Sequence, residues 1–226
     1  MNFTEEKMVT VTRHATPVDL QTCAAVLELV AENVTALSMS RPPKTHPLFE
    51  GFKSMLVEEV RTYITRRDLP QIELLTASAG DGKIVGFLLF GLVQTEVQEC
   101  NIYYTAVQKQ FRRQGIMGNM MQLILEISPA VGLSCDIAMV PVYKRYGFRI
   151  VTGRETQVVM FIADPTGITP VIDPADLGKL AIVDEAFKRA LQSSAVNDLR
   201  RADKAMKADL MARKAKVRQF VKANAT

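Results

Sequence analysis

Hydrophobic positions change period several times along this chain, and each change marks an element. Met8 to Arg13 (MVTVTR) mixes β-branched and polar residues, which predicts a short strand. After Asp19, the residues Leu20, Cys23, Ala24, Leu27 and Val30 recur at helical spacing. Ser38 to Pro47 (SMSRPPKTHP) holds three prolines among polar residues and is a loop. Leu48 to Arg67 is a second helix, with Phe52, Met55, Leu56, Val60, Tyr63 and Ile64 on one side. Ile72 to Ala79 and Ile84 to Val93 are apolar runs joined through Asp81-Gly82, a strong hairpin signal. Cys100 to Val107 is a further strand. Gly115 to Ile127 is a helix, with Ile116, Met120, Leu123, Ile124 and Ile127 at its spacing. Leu133 to Met139 reads as a strand, Pro141 to Tyr146 as a short helix ended by Gly147, and Val151 to Ala163 as one or two strands. The order β-α-α-β-β-β-α-β-α-β predicts a mixed α/β (α+β) fold, with helices covering a mostly antiparallel sheet.

Asp164 to Pro174 carries three prolines and a glycine, which places a linker at residues 164–174. It separates a body, residues 1–163, from a helical extension, residues 175–226. Within the extension, Ala175 to Leu191 and Val196 to Val221 are helical. Charge sharpens this division. Between Asn197 and Lys222 nine Lys or Arg face three Asp; of the net +4, this helix carries +6 and the remainder −2. Its narrow seam of Leu199, Met206, Leu210, Val217 and Val221 suits docking on the body, on a second copy or on another protein. Its cations also suit a phosphate backbone, although Phe220 is the only aromatic available for base stacking.

No run of about 18 apolar residues predicts a membrane span. The start, MNFTEEKMVT, lacks the basic and apolar regions of a signal peptide. Cys23, Cys100 and Cys135 are odd in number and widely spaced, which fits reduced thiols in a cytoplasmic setting and no metal site.

Candidate chemistry concentrates in Tyr104 to Gly118 (YTAVQKQFRRQGIMG) and Val142 to Phe148 (VYKRYGF). The first segment runs from an apolar strand through a basic turn into a helix. A helix start offers bare N–H groups and a partial positive charge, both suited to a diphosphate. Gly115 and Gly118 clear the backbone there, while Arg112 and Arg113 add cations at the rim.

Val107 to Gly118 resembles motif A of the GNAT N-acetyltransferase superfamily, whose turn follows the pattern Arg-x-x-Gly-x-Gly/Ala. Met117 stands where the second small residue is usual, and Gly118 comes one place late. Tyr143-Lys-Arg-Tyr-Gly147-Phe148 resembles the later Tyr-x-x-x-Gly-Phe signature of that family. The resemblance spans about residues 8 to 163. It implies a GNAT-like twisted sheet with acetyl-CoA as cosubstrate, held by Ala106, Val107, Arg112, Arg113, Gln114, Gly115, Ile116, Met117 and Gly118. It implies a V-shaped gap between the strand ending at Val107 and the strand starting at Leu133. It also implies Tyr143 as the acid for the leaving thiolate, and a small-molecule or protein amine as acceptor, entering beside Ser38–Pro47 and Glu96–Tyr104.

The base is less clearly marked. Asn101 and Tyr103 occupy the places where family members often carry Glu or His. Glu99, acting through water, and His46 in the acceptor-side loop are the candidates. The leading expectation is therefore direct acetyl transfer to an amine. Two alternatives stand beside it: an inactive assembly module, for instance within a phage virion, and an acyltransferase that modifies nucleic acid.

Overall fold

A computed structural model describes residues 9–69, 71–93 and 98–225. Seven strands form one sheet in the order β1-β2-β3-β4-β5-β7-β6. These are β1 (Thr10–Ala15), β2 (Ile72–Ser78), β3 (Ile84–Val93), β4 (Glu99–Val107), β5 (Ala130–Cys135), β6 (Arg149–Arg154) and β7 (Gln157–Phe161). Every neighbouring pair is antiparallel except β4 with β5. The Asp81-Gly82 turn closes the β2–β3 hairpin. Gly82 sits at φ +80°, which glycine reaches without a Cβ clash.

Two helical layers cover the sheet. On one face α1 (Leu20–Glu32) and α3 (Phe49–Thr65) bury Val26, Val30, Val60 and Ile64 against Leu74, Phe87 and Leu89. The Asp19 carboxylate starts α1 by accepting the N–H groups of Gln21 and Thr22, each at 2.9 Å. On the other face α4 (Ile116–Ile127) buries Met120, Met121 and Ile124 among Leu88, Phe90 and Val131. Helix α1 presents a shifted stripe relative to the expected one. Leu20, its first residue, is 90% exposed, and Val26 and Leu29 complete the buried face instead.

The pairing of β4 with β5 positions everything that follows. It runs from Glu99↔Ala130 to Ile102↔Leu133 and ends there. Strand β4 continues to Val107 along β3, while β5 turns with β7 as far as Cys135↔Val158. A register shift opposite Leu89/Phe90 leaves Tyr103 as the extra residue of β4. Backbones approach closely where the strands still pair. A Cβ on Gly132 would lie 2.5 Å from the Asn101 Oδ1.

The strand expected over 133–139 stops at Cys135. Pairing with β7 is exhausted there, and residues 137–139 form one 3-10 turn leading into α5 (Val140–Lys144). The helix expected over 175–191 is interrupted. Short α6 (Pro174–Gly178) and α7 (Ala181–Gln192) are separated at Leu180, whose backbone is extended. A short α2 (Val34–Leu37) follows α1 directly.

The chain after β7 is pinned to the body at several points. The Glu99 carboxylate accepts the N–H groups of Thr166 (2.7 Å) and Gly167 (2.9 Å) and the Thr166 hydroxyl (2.5 Å). Tyr103 donates to the Pro170 carbonyl at 2.8 Å, and the Ile172 N–H donates to the Tyr63 hydroxyl at 3.0 Å. Helix α7 lies on α3, where Phe187 faces Gly51. Helix α8 (Val196–Asn224) lies on β6, with Val217 buried over Gly153. Arg213 of α8 donates to the carbonyls of Met39 and Ser40 at 3.0 Å each, so α8 also holds the loop after α2. Among the described residues no helix is long and apolar enough to cross a membrane.

A Cβ at Gly51 would come within 2.3–2.6 Å of the Phe187 ring. Gly51→Val is therefore expected to push α7 off α3 and cost about 1–3 kcal/mol, as overpacking does. Urea unfolding measures the cost, and faster amide exchange across α7 locates it.

Candidate active site

Where β4 and β5 diverge, the sheet opens into a cavity of about 760 Å³. One wall is the free edge of β4, Tyr103 to Val107. The opposite wall is the end of β5, Leu133 to Asp136, with Tyr143 and Tyr146 of the α5 region. Asn33, Ala36, Leu37 and the turn before α4 complete the lining. Arg41 crosses beside this mouth to form an ion pair with Asp136.

The turn before α4 has its shape because two residues take left-handed backbone. Gly115 caps α4 at φ +79°, and Arg113 adopts φ +64°. The arginine pays a small steric cost for this, on the order of 1–2 kcal/mol, which a local constraint must offset. No side chain caps the first N–H groups of α4, so they are left to solvent or a ligand. A Cβ on Gly115 would meet nothing within 4 Å, so this approach is open. One on Gly118 would come within 3.2 Å of the Tyr146 hydroxyl, which narrows the cleft. Ala106, Val107, Arg112, Arg113, Gly115, Ile116, Met117 and Gly118 all line the cavity, whereas Gln114 turns back to the Gln110 carbonyl.

The two arginines divide the work. Arg112 is committed within the chain: its Nε donates to the Val107 carbonyl at 2.9 Å and its Nη2 to Asn33 Oδ1 at 2.7 Å. It ties the end of α1 to the turn. Arg113 forms no ion pair or side-chain hydrogen bond among the described residues, and its charge faces the cavity. Met117 packs partly into the core beside the cavity.

Residues 43–148 match the acetyltransferase (GNAT) family. This segment is a GNAT acetyltransferase domain. Its fold is similar to that of the PaiA N-acetyltransferase of Thermoplasma acidophilum, solved with coenzyme A. That likeness has a TM-score of 0.53 at 12% identity, over 67% of this chain and 98% of the other. It is also similar to an acyl-CoA N-acyltransferase from Pseudomonas aeruginosa, with a TM-score of 0.51 at 21% identity, over 69% and 100%. At these identities the likeness is one of fold. No curated protein matches the chain in sequence.

Within the GNAT domain, Tyr143 is 5% exposed and lies edge-on to Phe148, with ring centroids 5.7 Å apart. Its hydroxyl has no hydrogen-bond partner among the described residues, so its proton is available to the cavity. Burial, then Cys135 and Tyr146, push the phenol above its usual range, and it stays protonated at neutral pH. Cys135 beside it touches the Met160 sulfur at 3.7 Å, and burial raises its thiol to about 12. A neutral thiol of that kind is a small apolar neighbour and a poor nucleophile.

The two candidate bases lie elsewhere. Glu99 is 3% exposed and is occupied by Thr166 and Gly167. His46 is 5% exposed and packs edge-on against Phe52, which packs on Phe187 of α7. Its Nδ1 accepts from the Leu48 N–H at 3.1 Å, and its Nε2 has no partner. Burial lowers its pKa, with only Asp203 acting against the shift. Neither residue lines the cleft. Glu96 falls outside the described residues.

Other cavity residues carried no signal in sequence. Asn33, Asp136 and Gln157 reach the site from three separate elements. Tyr104 donates its hydroxyl to Glu59 of α3 at 2.9 Å. These juxtapositions span up to 124 positions and depend on tertiary packing. Among the described residues no group of His, Cys, Asp or Glu could hold a metal.

Glu99→Ala would leave two N–H groups without their acceptor. The expected cost is about 3 kcal/mol, since each donor left without a partner costs about 1–3 kcal/mol. Chemical denaturation should show the loss, and amide exchange should quicken first around Thr166 and Gly167.

Proposed function

We propose that this domain is an acyl-CoA-dependent N-acyltransferase that moves acetyl from acetyl-CoA to an amine by direct attack. One observation carries the reading. The open start of α4 and the unpartnered Tyr143 hydroxyl face the same cavity, along a strand edge with no partner strand.

Each part has a role in that reaction. The N–H groups at Ile116, Met117 and Gly118 and the free charge of Arg113 bind the diphosphate. The unpaired β4 edge, Tyr103 to Val107, offers N–H and C=O groups to a pantetheine arm as a neighbouring strand would. A β4 N–H directed at the thioester oxygen favours the transition state, where negative charge grows on that oxygen. Tyr143 holds the proton for the departing sulfur. Ala36, Leu37 and the Arg41–Asp136 pair border the side left for the acceptor.

A second reading has one observation in its favour. Glu99 and His46 are both spent on structural contacts, which suits a GNAT fold retained as an assembly module. The α8 helix, with its exposed cations, then serves as an attachment arm to protein or nucleic acid. The virion and the cytoplasm are the settings in which these two readings would operate.

Acetyl-CoA binding separates the readings. At a hundredfold excess over Kd, ligand adds about 2.7 kcal/mol, or roughly 5–10 °C in Tm for a chain this size. Gly115→Val, which strains the cap, should remove most of that shift. No shift for the native chain at millimolar acetyl-CoA points to the assembly role. Tyr143→Phe should lower kcat about 100-fold with acetyl-CoA affinity retained; an unchanged kcat removes Tyr143 from the chemistry.

A further inference from the structure

Glu59 is a carboxylate with an unusual setting. It projects from α3 toward the sheet, away from the cations that neutralise the other glutamates of its helix. Glu50 pairs with Lys53, and Glu58 with Arg61. Glu59 forms no ion pair among the described residues, and its hydrogen bond comes from the Tyr104 hydroxyl at 2.9 Å. Taking a carboxylate out of water without a cation is costly. Such an arrangement needs a reason.

Tyr104 supplies one. It lies immediately after the extra residue of β4, where pairing with β5 has already ended. It is part of the cavity wall, between the Tyr103 bulge and the edge that runs to Val107. Tyr104 therefore joins the cavity on one side to Glu59 on the other. The groups facing Glu59 are Tyr104 from β4 and Tyr63 from its own helix, with Tyr103 stacked on Tyr63 at 4.9 Å. Every one is a phenol, and none brings a positive charge.

We propose that Tyr104 and Glu59 are the proton-accepting pair for the attacking amine. Tyr104 is the catalytic residue that meets the amine, and Glu59 is the positioning residue behind it. The inference rests on the acyl-transfer reading. In the step, the neutral amine nitrogen forms a C–N bond to the thioester carbonyl carbon. A nitrogen proton passes to the Tyr104 oxygen as the phenolic proton of Tyr104 passes to Glu59. The C–S bond breaks, and the sulfur takes a proton from Tyr143. Solvent later removes the proton from Glu59 and restores the one on Tyr143. The sum is an amide and a free thiol.

The environment suits this role. Burial raises the Glu59 pKa, and only the Tyr104 hydrogen bond opposes it. A carboxylate moved toward neutrality is a stronger base at working pH. The base must be ionised, so kcat falls as pH drops through that raised value. Stability has the opposite sense. A carboxyl with a raised folded pKa favours the protonated native state. Its stabilising contribution is full below the unfolded value, about 4.3, and is lost as pH rises through the folded value.

The test uses the full chain with acetyl-CoA and a panel of primary amines. Glu59→Gln and Tyr104→Phe should each lower kcat about 100-fold and leave KM for acetyl-CoA unchanged. Glu59→Gln should also lose the acidic limb of the kcat profile, and Glu59→Asp should recover part of the rate. Independently of turnover, Glu59→Gln should melt above the native chain at pH 8 and level with it near pH 4.5. A Glu59→Gln variant with native kcat and an intact acidic limb overturns the pair while leaving acyl transfer standing. The same holds if the variant melts below the native chain at pH 8. A native chain that binds acetyl-CoA yet acetylates no amine also overturns it. A native chain whose Tm ignores acetyl-CoA overturns the acyl-transfer reading itself, and the pair with it.

Discussion

The parting of β4 from β5 after Ile102↔Leu133 is the constraint on which the rest of the structure depends. Two parallel strands that stay paired leave no room between them. Here they share four rungs and then separate, and the extra residue Tyr103 helps turn β4 aside. Separation exposes a row of backbone N–H and C=O groups on β4. Such groups are normally paired, so an open edge at the centre of a sheet is a place built for a ligand. The glycine-capped start of α4 lies at the end of that edge, since β4 runs straight into the turn that precedes it.

Packing around the gap explains why it can stay open. Both faces of the sheet are filled by apolar side chains on either side of it, with α1 and α3 above and α4 below. Arg112 locks the turn to Asn33 and Val107. The chain after β7 adds a further layer. Glu99 and Tyr103 of β4 and Tyr63 of α3 bind residues 166–172. Arg213 of α8 holds the loop after α2, so the basic helix bears on the shape of that loop.

Ionisable groups are sorted by this packing. Tyr143 and Cys135 are held neutral by burial. Glu99 is engaged by converging donors from Thr166 and Gly167. His46 is buried edge-on against Phe52, with burial favouring its neutral form. Glu59 forms no ion pair among the described residues and lies next to a phenol on the cavity wall. The same residue type thus serves as anchor in one place and as a proton-accepting candidate in another, according to what surrounds it.

The sequence by itself determines the elements and their order, because hydrophobic period and turn residues act over a few positions. The Asp81-Gly82 hairpin, the Asp19 cap, the Gly147 helix end and the glycine turn before α4 are legible in that way. The two motifs that resemble the GNAT family are equally local, spanning about 15 and 7 residues. Only the tertiary structure decides what meets what. Glu99 and His46 look available in sequence, yet Thr166, 67 positions onward, occupies the first, and the second is buried against Phe52, itself covered by Phe187 of α7. Glu59 looks like one more charge on an amphipathic helix until Tyr104, 45 positions away, is laid against it. Proton chemistry depends on desolvation and on partners within about 3 Å, and both arise only when distant segments pack.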